Sequence, residues 1–199
     1  MDLLEVIHTQ RAVRRFKPDP VPQDVITRVI DSAIRAPSGG NRQHWSFVVI
    51  QNPTLRSQVG QLYKAAWDSG NISRFTHDPN PDTARVYKSA QYLAERMGEA
   101  PVLIIPCVET GKQGPSFTTG ASIYPAVQNL MLAARSLGLG TVITTIHLGR
   151  EKEIKELIGI PENVATAALV PMGYPASNDP FGPVRRKAVS EVIYIDRWG

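Results

Sequence analysis

The chain has 199 residues, a formal net charge of +4 and a sequence pI near 9.3, and 42% of its residues are hydrophobic. This length is typical of one domain with a substantial core, and the apolar runs are too short to span a bilayer. The single cysteine, Cys107, excludes an intramolecular disulfide framework and a cysteine metal cluster.

The N-terminus and the distribution of charge narrow the class of protein further. Residues 1–5 lack a basic n-region and a cleavage site, so no signal peptide is expected. The basic residues gather at two places rather than along a stripe with stacking aromatic side chains, which argues against a nucleic-acid partner. With no membrane partner indicated either, the sequence is typical of a cytoplasmic protein.

The first predicted element is a short helix that Asp2 caps and that runs through His8. It leads into Arg11, Arg14 and Arg15, which would share one face if the helix continued, so that their like charges would repel. A guanidinium binds phosphate through two parallel hydrogen bonds, and the cluster therefore predicts a phosphate group carried by a cofactor. The alternative is a solvated helix end, since basic side chains in a last turn suit the helix dipole.

The next elements are a helix, a polar loop and a strand. Pro22 opens the helix as a first-turn proline, and Pro37 prevents its continuation. Residues 37–45 are predicted to form a polar loop, residues 46–50 a short buried strand, and a third helix begins after Asn52. Apolar residues at helical spacing predict the buried stripe of the second helix: Val25, Ile26, Val29, Ile30, Ala33 and Ile34.

Residues 68–83 are polar and rich in Gly, Asn, Asp and Pro. Such a stretch predicts a long loop or lid, a type of segment that is often functional. A helix over residues 84–97 and an apolar strand over residues 101–108 follow. Residues 112–119 are expected to form a second loop.

The most apolar helix is predicted over residues 121–137 and should be central and buried, because it is apolar nearly all round. Gly138 supplies its C-terminal stop. The remaining predicted elements are a strand, a helix and two further strands, at residues 141–146, 151–158, 164–172 and 189–195. Because strands alternate with helices, the pattern indicates a mixed α/β layered domain over residues 1–199, with a lid or excursion around residues 68–98.

Several kinds of catalytic site find no support in the sequence. Gly138 and Gly140 follow a helix rather than a strand, so they are a helix stop and not a dinucleotide-binding loop. The sequence has no Walker loop, no H-E-x-x-H and no G-x-S-x-G, and its four histidines lack metal-ligand spacing. Hydrolase and metalloenzyme functions are therefore disfavoured, and phosphate binding is the signal that remains.

A series of motifs resembles one known family. Residues 11–16 read R-A-V-R-R-F and are similar to an R-S-x-R-x-F phosphate motif, with Ala12 in place of serine. Residues 36–45 are similar to an A-P-S-x-x-N-x-Q-P-W loop, with His44 in place of proline. A central helix, a strand with its turn and a closing basic motif complete the series, at residues 125–141, 160–175 and 183–187. In this order, over nearly the whole length, the chain resembles the nitroreductase superfamily of flavin mononucleotide (FMN) enzymes.

The resemblance implies a fold and an assembly. The fold class is α/β (α+β), with a central, mainly antiparallel sheet that is flanked by helices. Two chains would intertwine as a homodimer and form two FMN sites at their interface.

The resemblance also implies which residues bind FMN, while no catalytic acid, base or metal ligand is implied. Arginines from both ends of the chain would hold the phosphate and the pyrimidine edge of the flavin: Arg11, Arg14, Arg15, Arg185 and Arg186. A loop supplied by the partner subunit would line the ribityl chain and the ring: Pro37, Ser38, Gly39, Asn41 and Gln43. Hydroxyls of Thr144 and Thr145 would lie near the reactive nitrogen of the flavin.

The implied activity is an FMN-dependent oxidoreductase that takes hydride from NADH or NADPH. It would reduce a small, electron-poor acceptor such as a nitroaromatic or a quinone in a ping-pong cycle. Reductive dehalogenation, oxygen-dependent flavin cleavage and non-enzymatic flavin storage stay open, although residues 68–83 show no obvious zwitterion-binding pattern. The sequence also leaves open the choice of NADH or NADPH, a deazaflavin in place of FMN, and which of Thr144, Thr145 and His147 faces the flavin ring.

Overall fold

The computed structural model describes residues 1–110 and 114–198. Its centre is a five-stranded sheet in the order β1-β2-β5-β3, with β4 also paired to β2. Every pairing between these strands is antiparallel, as the resemblance implied. The strands are β1 (Trp45–Ile50), β2 (Val102–Glu109), β3 (Gly140–Thr141), β4 (Val164–Thr166) and β5 (Val170–Gly173).

The central strand β2 is buried on both faces. Successive side chains of a strand point to opposite faces of the sheet. Accordingly, Val102 and Ile104 belong to one apolar cluster, whereas Leu103 and Ile105 belong to a second cluster on the other face. This explains why β2 reads as a continuous apolar run in the sequence.

Six α-helices flank the sheet in the part of the chain that the structure describes. They are α1 (Leu3–Thr9), α2 (Gln23–Ala33), α3 (Pro53–Ser69), α4 (Pro81–Arg96), α5 (Phe117–Ser136) and α6 (Glu151–Ile158). Helices α2 and α5 pack into the first apolar cluster, and α3 and α4 pack into the second. Among the described residues, no helix has the length and apolar character that crossing a membrane requires.

The residues that cap the N-termini of α3 and α4 show how such helices begin, and the start of α4 limits how much of residues 68–83 is loop. The side chain of Asn52 accepts a hydrogen bond from the backbone N–H of Leu55 at 3.1 Å, and a proline follows it in the first turn of α3. Asn80 caps α4 in the same way, so α4 begins at Pro81, before the predicted residue 84. Since α3 extends to Ser69 and a 3₁₀ turn follows at Ile72–His77, the loop predicted over residues 68–83 is shorter than expected.

Two predicted strands are interrupted in the structure. Strand β3 ends at Thr141, and pairing resumes only at Thr144, whose N–H and C=O both bond to Leu169. The predicted strand over residues 164–172 is divided into β4 and β5, because residues 167–169 lie opposite only two residues of β2, 105 and 106, which interrupts the regular ladder.

The last predicted strand, over residues 189–195, does not form. Val189–Glu191 is a 3₁₀ turn, and the apolar side chains after it are exposed, including Ile193 and Ile195. Within residues 1–110 and 114–198, no neighbouring strand pairs with this stretch. β-branched composition alone was therefore misleading, since a strand also needs a partner for its backbone groups.

The second predicted loop was also too long at its C-terminal end. Ser116 caps α5 by accepting a hydrogen bond from the N–H of Thr119 at 3.2 Å, so the helix begins at Phe117. Residues 112 and 113 of that prediction lie outside the described residues.

The arginine-rich segment after α1 is extended, not helical. Helix α1 ends at Thr9, and the N–H of Val13 donates to the C=O of Thr141 at 3.0 Å, which docks the segment on β3. The helix does not continue, so the arginines do not share a helical face, and successive side chains here alternate in direction. Val13 is fully buried against Gly140, at which an added Cβ would lie 2.6 Å from Cγ1 of Val13.

We expect Gly140→Ala to lower the free energy of unfolding by about 1–3 kcal/mol, because the new methyl group overlaps a buried valine in a packed sheet. Urea unfolding measures the change. Gly39→Ala is the matched control, since a Cβ there meets nothing within 4 Å. Equal stability of the two variants would contradict the close docking of the segment on β3.

Candidate functional site

A large cleft with a volume of about 1240 Å³ lies where the two ends of the chain meet. The segment after α1 forms one wall, the segment after β5 another, and α4 and the chain after β3 complete it. Seven cationic side chains and one carboxylate, Asp179, line this cleft. The cations are Arg11, Arg14, Arg15, Arg85, Lys88, Arg185 and Arg186. Such a surplus of positive charge favours an anionic ligand.

Backbone hydrogen bonds hold the two chain ends side by side. The C=O of Thr9 accepts from the N–H of Gly182, and the C=O of Arg15 accepts from the N–H of Ala176. The two segments therefore run antiparallel, which brings residues more than 160 positions apart into one cleft. The structure thus places all five arginines of the predicted set together.

Asp179 organises the arginines of the N-terminal segment. Its Oδ2 accepts hydrogen bonds from the backbone N–H groups of Arg14, at 2.6 Å, and Arg15, at 3.0 Å. Its Oδ1 lies 3.5 Å from Nη2 of Arg11. The residue is only 4% exposed, so these partners compensate a carboxylate that would otherwise be costly to bury.

Arg14 and Arg15 occupy different surroundings. Burial lowers the pKa of Arg14, while Asp179 and Tyr63 counteract that effect, and the guanidinium keeps its charge. The guanidinium of Arg15 lies over the ring of Tyr92, 4.2 Å from its centroid. A cation that is partly removed from water interacts more strongly with an anion, so Arg14 is a strong candidate for a phosphate contact.

The C-terminal arginines approach the same cleft from the opposite wall. Nη1 of Arg185 lies 3.6 Å from Oδ2 of Asp82 at the start of α4, and Arg85 contacts the other oxygen of Asp82 at 3.1 Å. Arg186 donates through Nη1 to the C=O of Arg185 at 3.0 Å. All of these side chains are exposed, so they are free to rearrange around a ligand.

The predicted loop at residues 37–43 does not join this cleft within one chain. Ser38 and Gly39 line a separate cleft of about 640 Å³, which shares no lining residue with the first. Oγ of Ser38 accepts from the N–H of Gln43 at 3.0 Å, and the side chain of Gln43 donates to Oδ1 of Asn41 at 3.3 Å. Pro37 precedes this turn and is exposed.

The same loop contains backbone strain. Asn41 and Gln43 have φ angles of 52° and 55°, in the left-handed region that residues other than glycine rarely adopt. Asparagine tolerates this conformation, whereas glutamine adopts it at a cost. Strain of this kind is common at binding sites, where it fixes the direction of side chains.

The two predicted threonines differ in their environment. The hydroxyls of Thr144 and Tyr63 lie 2.8 Å apart, and Thr145 is exposed. Burial raises the pKa of Tyr63 to about 12, so the phenol stays protonated and can donate to Thr144. Val142 and Ile143, rather than the threonines, line the cationic cleft of the single chain.

His147 does not face the cleft. Its side chain is fully buried, and Nε2 lies 3.0 Å from Oγ1 of Thr166. That hydroxyl donates to Oε1 of Glu151 at 2.8 Å, so Nε2 of His147 must be the donor to it. Nδ1 of His147 is buried and has no hydrogen-bond partner among the described residues. His147 is thereby removed from the three residues that the sequence left as candidates to face a flavin ring.

Sequence reasoning missed several residues of the cleft. Asp179 lies in an irregular segment with no periodic signal, and its partners are 164 and 165 positions away in the chain. Arg85 and Lys88 also line the cleft, but in the sequence they look like ordinary surface cations of a predicted helix. Only the opposite charge of Asp179 could have suggested a partner for the arginines, and that signal does not distinguish it from other carboxylates.

Comparison with known proteins identifies relatives over almost the whole chain. Residues 7–174 match the model of the nitroreductase family. A putative NADH dehydrogenase/NAD(P)H nitroreductase of Methanothermobacter thermautotrophicus is 31% identical over 206 residues, covering 100% of this chain and 88% of the relative. Human iodotyrosine deiodinase 1 is 26% identical over 198 residues, covering 96% of this chain and 68% of the relative.

Solved structures share the fold. An iodotyrosine deiodinase bound to FMN and 3-iodo-L-tyrosine superposes with a TM-score of 0.80 at 23% identity, covering 99% of this chain and 100% of the other. A nitroreductase with bound FMN from Desulfitobacterium hafniense gives a TM-score of 0.73 at 22% identity, covering 98% and 100%. These findings confirm the resemblance and the fold class that the motifs implied.

We expect the free energy of unfolding to fall by about 3 kcal/mol as the pH drops from 6.5 to about 4, because burial lowers the pKa of His147 from 6.5 to about 4. Across this range the unfolded chain binds a proton that the folded chain does not, so stability is complete above the range and lost below it. Urea unfolding at several pH values measures this dependence.

A variant without the imidazole isolates the contribution of His147 to this pH dependence. His147→Gln should give a flatter pH profile than the wild-type chain, whereas the control His8→Gln, at an exposed position, should leave the profile unchanged. Parallel profiles for the wild type and His147→Gln would contradict the buried, neutral histidine.

Proposed function

The chain belongs to the nitroreductase family, and we propose that it is an oxidoreductase that holds FMN, takes hydride from NADH or NADPH and reduces a small, electron-poor acceptor such as a nitroaromatic or a quinone. The observation that carries this proposal is the cleft that seven cations, from both chain ends and α4, line together with one carboxylate. Two of the relatives that share its fold were crystallised with FMN.

The residues of the cleft fit a flavin that carries a phosphate. A dianionic phosphate suits the forked donors of Arg11, Arg14 and Arg186, and Arg15 lies beside them. The volume of the cleft, about 1240 Å³, is above the usual upper limit of about 1,000 Å³ for small-molecule sites, so size does not exclude a flavin. When bound, FMN supplies the redox chemistry, since it accepts a hydride from NAD(P)H and returns two electrons to the acceptor.

The protein's own contribution is orientation and charge. Asp179 fixes the backbone at Arg14 and Arg15, which limits the positions that the two side chains can reach. Cations that are already held in place stabilise an anion without a large cost of reorganisation. Arg185 extends this charge along the opposite wall, where it would lie near the pyrimidine edge.

The threonines belong to the proposed site through their position after β3. Tyr63 fixes the hydroxyl of Thr144 at 2.8 Å, and Thr145 is exposed next to it. A hydroxyl near the reactive nitrogen would tune the flavin by hydrogen bonding. We assign this role to the pair Thr144 and Thr145.

A homodimer would complete the site. Ser38 and Gly39 lie in a different cleft of the same chain, so their proposed contact with the flavin requires a second copy. Pro37, Asn41 and Gln43 belong to the same partner-supplied loop. Exposed apolar side chains in the C-terminal tail, among them Ile195 at 79% and Trp198 at 89%, give that copy a surface to bury.

Residues 68–98 are proposed to act as a lid over the single domain of residues 1–199. Helix α4, which lies in this segment, forms a wall of the cationic cleft. The cytoplasmic location stays a prediction of the sequence.

Reductive dehalogenation is the second candidate, because relatives at 26% identity are iodotyrosine deiodinases. An amino-acid substrate also carries an ammonium group, which needs a free carboxylate. Among the described residues, Asp179 is the only carboxylate that lines the cleft, and three arginines already contact it. Asp82, beside the cleft, is paired with Arg85 and Arg185. The cleft therefore favours an acceptor without a positive charge.

The activity can be tested directly with purified, FMN-loaded protein. Under anaerobic conditions, we expect NADH or NADPH to bleach the yellow colour and a nitroaromatic or quinone to restore it, which absorbance at the flavin maximum records. Release of iodide from 3-iodotyrosine in the same assay would favour the deiodinase instead. Flavin binding without any bleaching by NADH or NADPH would leave a storage protein and contradict the oxidoreductase.

The phosphate role of the arginines has a separate test. We expect Arg11→Ala with Arg186→Ala to weaken FMN binding by about 100-fold, since two charge-assisted contacts are removed. Equilibrium dialysis of the apoprotein measures the dissociation constant.

A matched control removes the same charge elsewhere. Arg28→Ala with Lys152→Ala changes two exposed cations that do not line the cleft, and it should bind FMN as the wild type does. Wild-type affinity in the Arg11/Arg186 variant would refute the assignment.

A further inference from the structure

Five of the seven cations of the cleft form two groups, each arranged around its own carboxylate. Arg11, Arg14 and Arg15 contact Asp179 on one wall. On the other wall, Asp82 lies between Arg85 and Arg185, with contacts of 3.1 Å and 3.6 Å. A single phosphate dianion bound at the Asp179 group therefore leaves the second group without an anionic ligand.

The second group is unusual for a helix surface. Arg85 and Lys88 are three positions apart on α4, so they lie on one face of the helix, and both line the cleft. Like charges in this arrangement destabilise a helix. Asp82 offsets little of this repulsion, because its side chain is 60% exposed and that of Arg85 is 80% exposed, and exposed ion pairs are weak.

The charge count shows the same excess. Seven cations and one carboxylate line the cleft, so with Asp82 beside it a bound phosphate dianion still leaves an excess of three positive charges. A neutral aromatic acceptor would not use them. The cleft is therefore matched to a second ligand that brings its own multiply charged group.

We propose that Arg85 and Lys88 form a second anion subsite that takes the 2′-phosphate of NADPH, so that the protein uses NADPH in preference to NADH. This inference rests on the proposed function, in which NADPH or NADH enters the cleft. The 2′-phosphate lies at the adenosine end of the dinucleotide, far from the nicotinamide that meets the flavin. A subsite on α4, apart from the arginines that contact Asp179, suits that distant group.

The test compares both dinucleotides in the FMN-loaded protein. The wild type should show a kcat/KM for NADPH at least about tenfold above that for NADH. Arg85→Ala with Lys88→Ala should remove about tenfold of that preference, chiefly by raising the KM for NADPH. Arg28→Ala with Lys152→Ala loses one arginine and one lysine outside the cleft and should keep the preference.

A binding measurement judges the subsite without turnover. Titration calorimetry should show that adenosine 2′,5′-bisphosphate binds the FMN-loaded wild type about tenfold more tightly than 5′-AMP, and that the Arg85/Lys88 variant loses this difference. If neither dinucleotide reduces the protein, the proposed function fails, and this titration still decides the subsite.

Three results would overturn the inference. One is equal binding of the two nucleotides by the wild type, and another is an unchanged NADPH preference in the Arg85/Lys88 variant. The third is an effect of that variant only on the KM for a negatively charged acceptor, which would assign these cations to the acceptor instead.

Discussion

The site depends on the hydrogen bonds and the ion pair between Asp179 and the arginine-rich segment. One buried carboxylate accepts the backbone N–H groups of Arg14 and Arg15 and lies beside the guanidinium of Arg11. Without it, three like charges would be held together in a partly buried cleft with no compensation. The same contacts also join the two ends of the chain, so the geometry of the anion site and the closure of the fold have one cause.

The sheet supplies the second constraint. The arginine segment is held on the edge strand β3 through the bond between Val13 and Thr141, and Gly140 leaves the space that Val13 fills. The C-terminal segment continues from β5, the neighbour of β3, and so returns beside the N-terminal segment. Helix α4 closes the third side with its own cations. The order of the strands thus explains why arginines from such distant positions share one cleft.

Local sequence signals predicted the local structure well. Prolines and asparagines marked the starts of α2 and α3, and α6 has the predicted bounds, because short-range spacing determines these features. Residues 189–195 failed as a strand, since strand formation depends on a neighbour that no local pattern reveals. The joining of Arg11 with Arg186 came from the resemblance to a family. Asp179 could not be predicted, because its role arises from a contact across 165 positions.

The central claim is that the cleft binds the phosphate of FMN and not only its aromatic ring. The most direct measurement is the dissociation constant of the apoprotein for FMN and for riboflavin, which differ only in the phosphate, by equilibrium dialysis at low salt. The account predicts that FMN binds at least about 100-fold more tightly, as two or more charge-assisted contacts require. Affinities for FMN and riboflavin within about twofold of each other would contradict it.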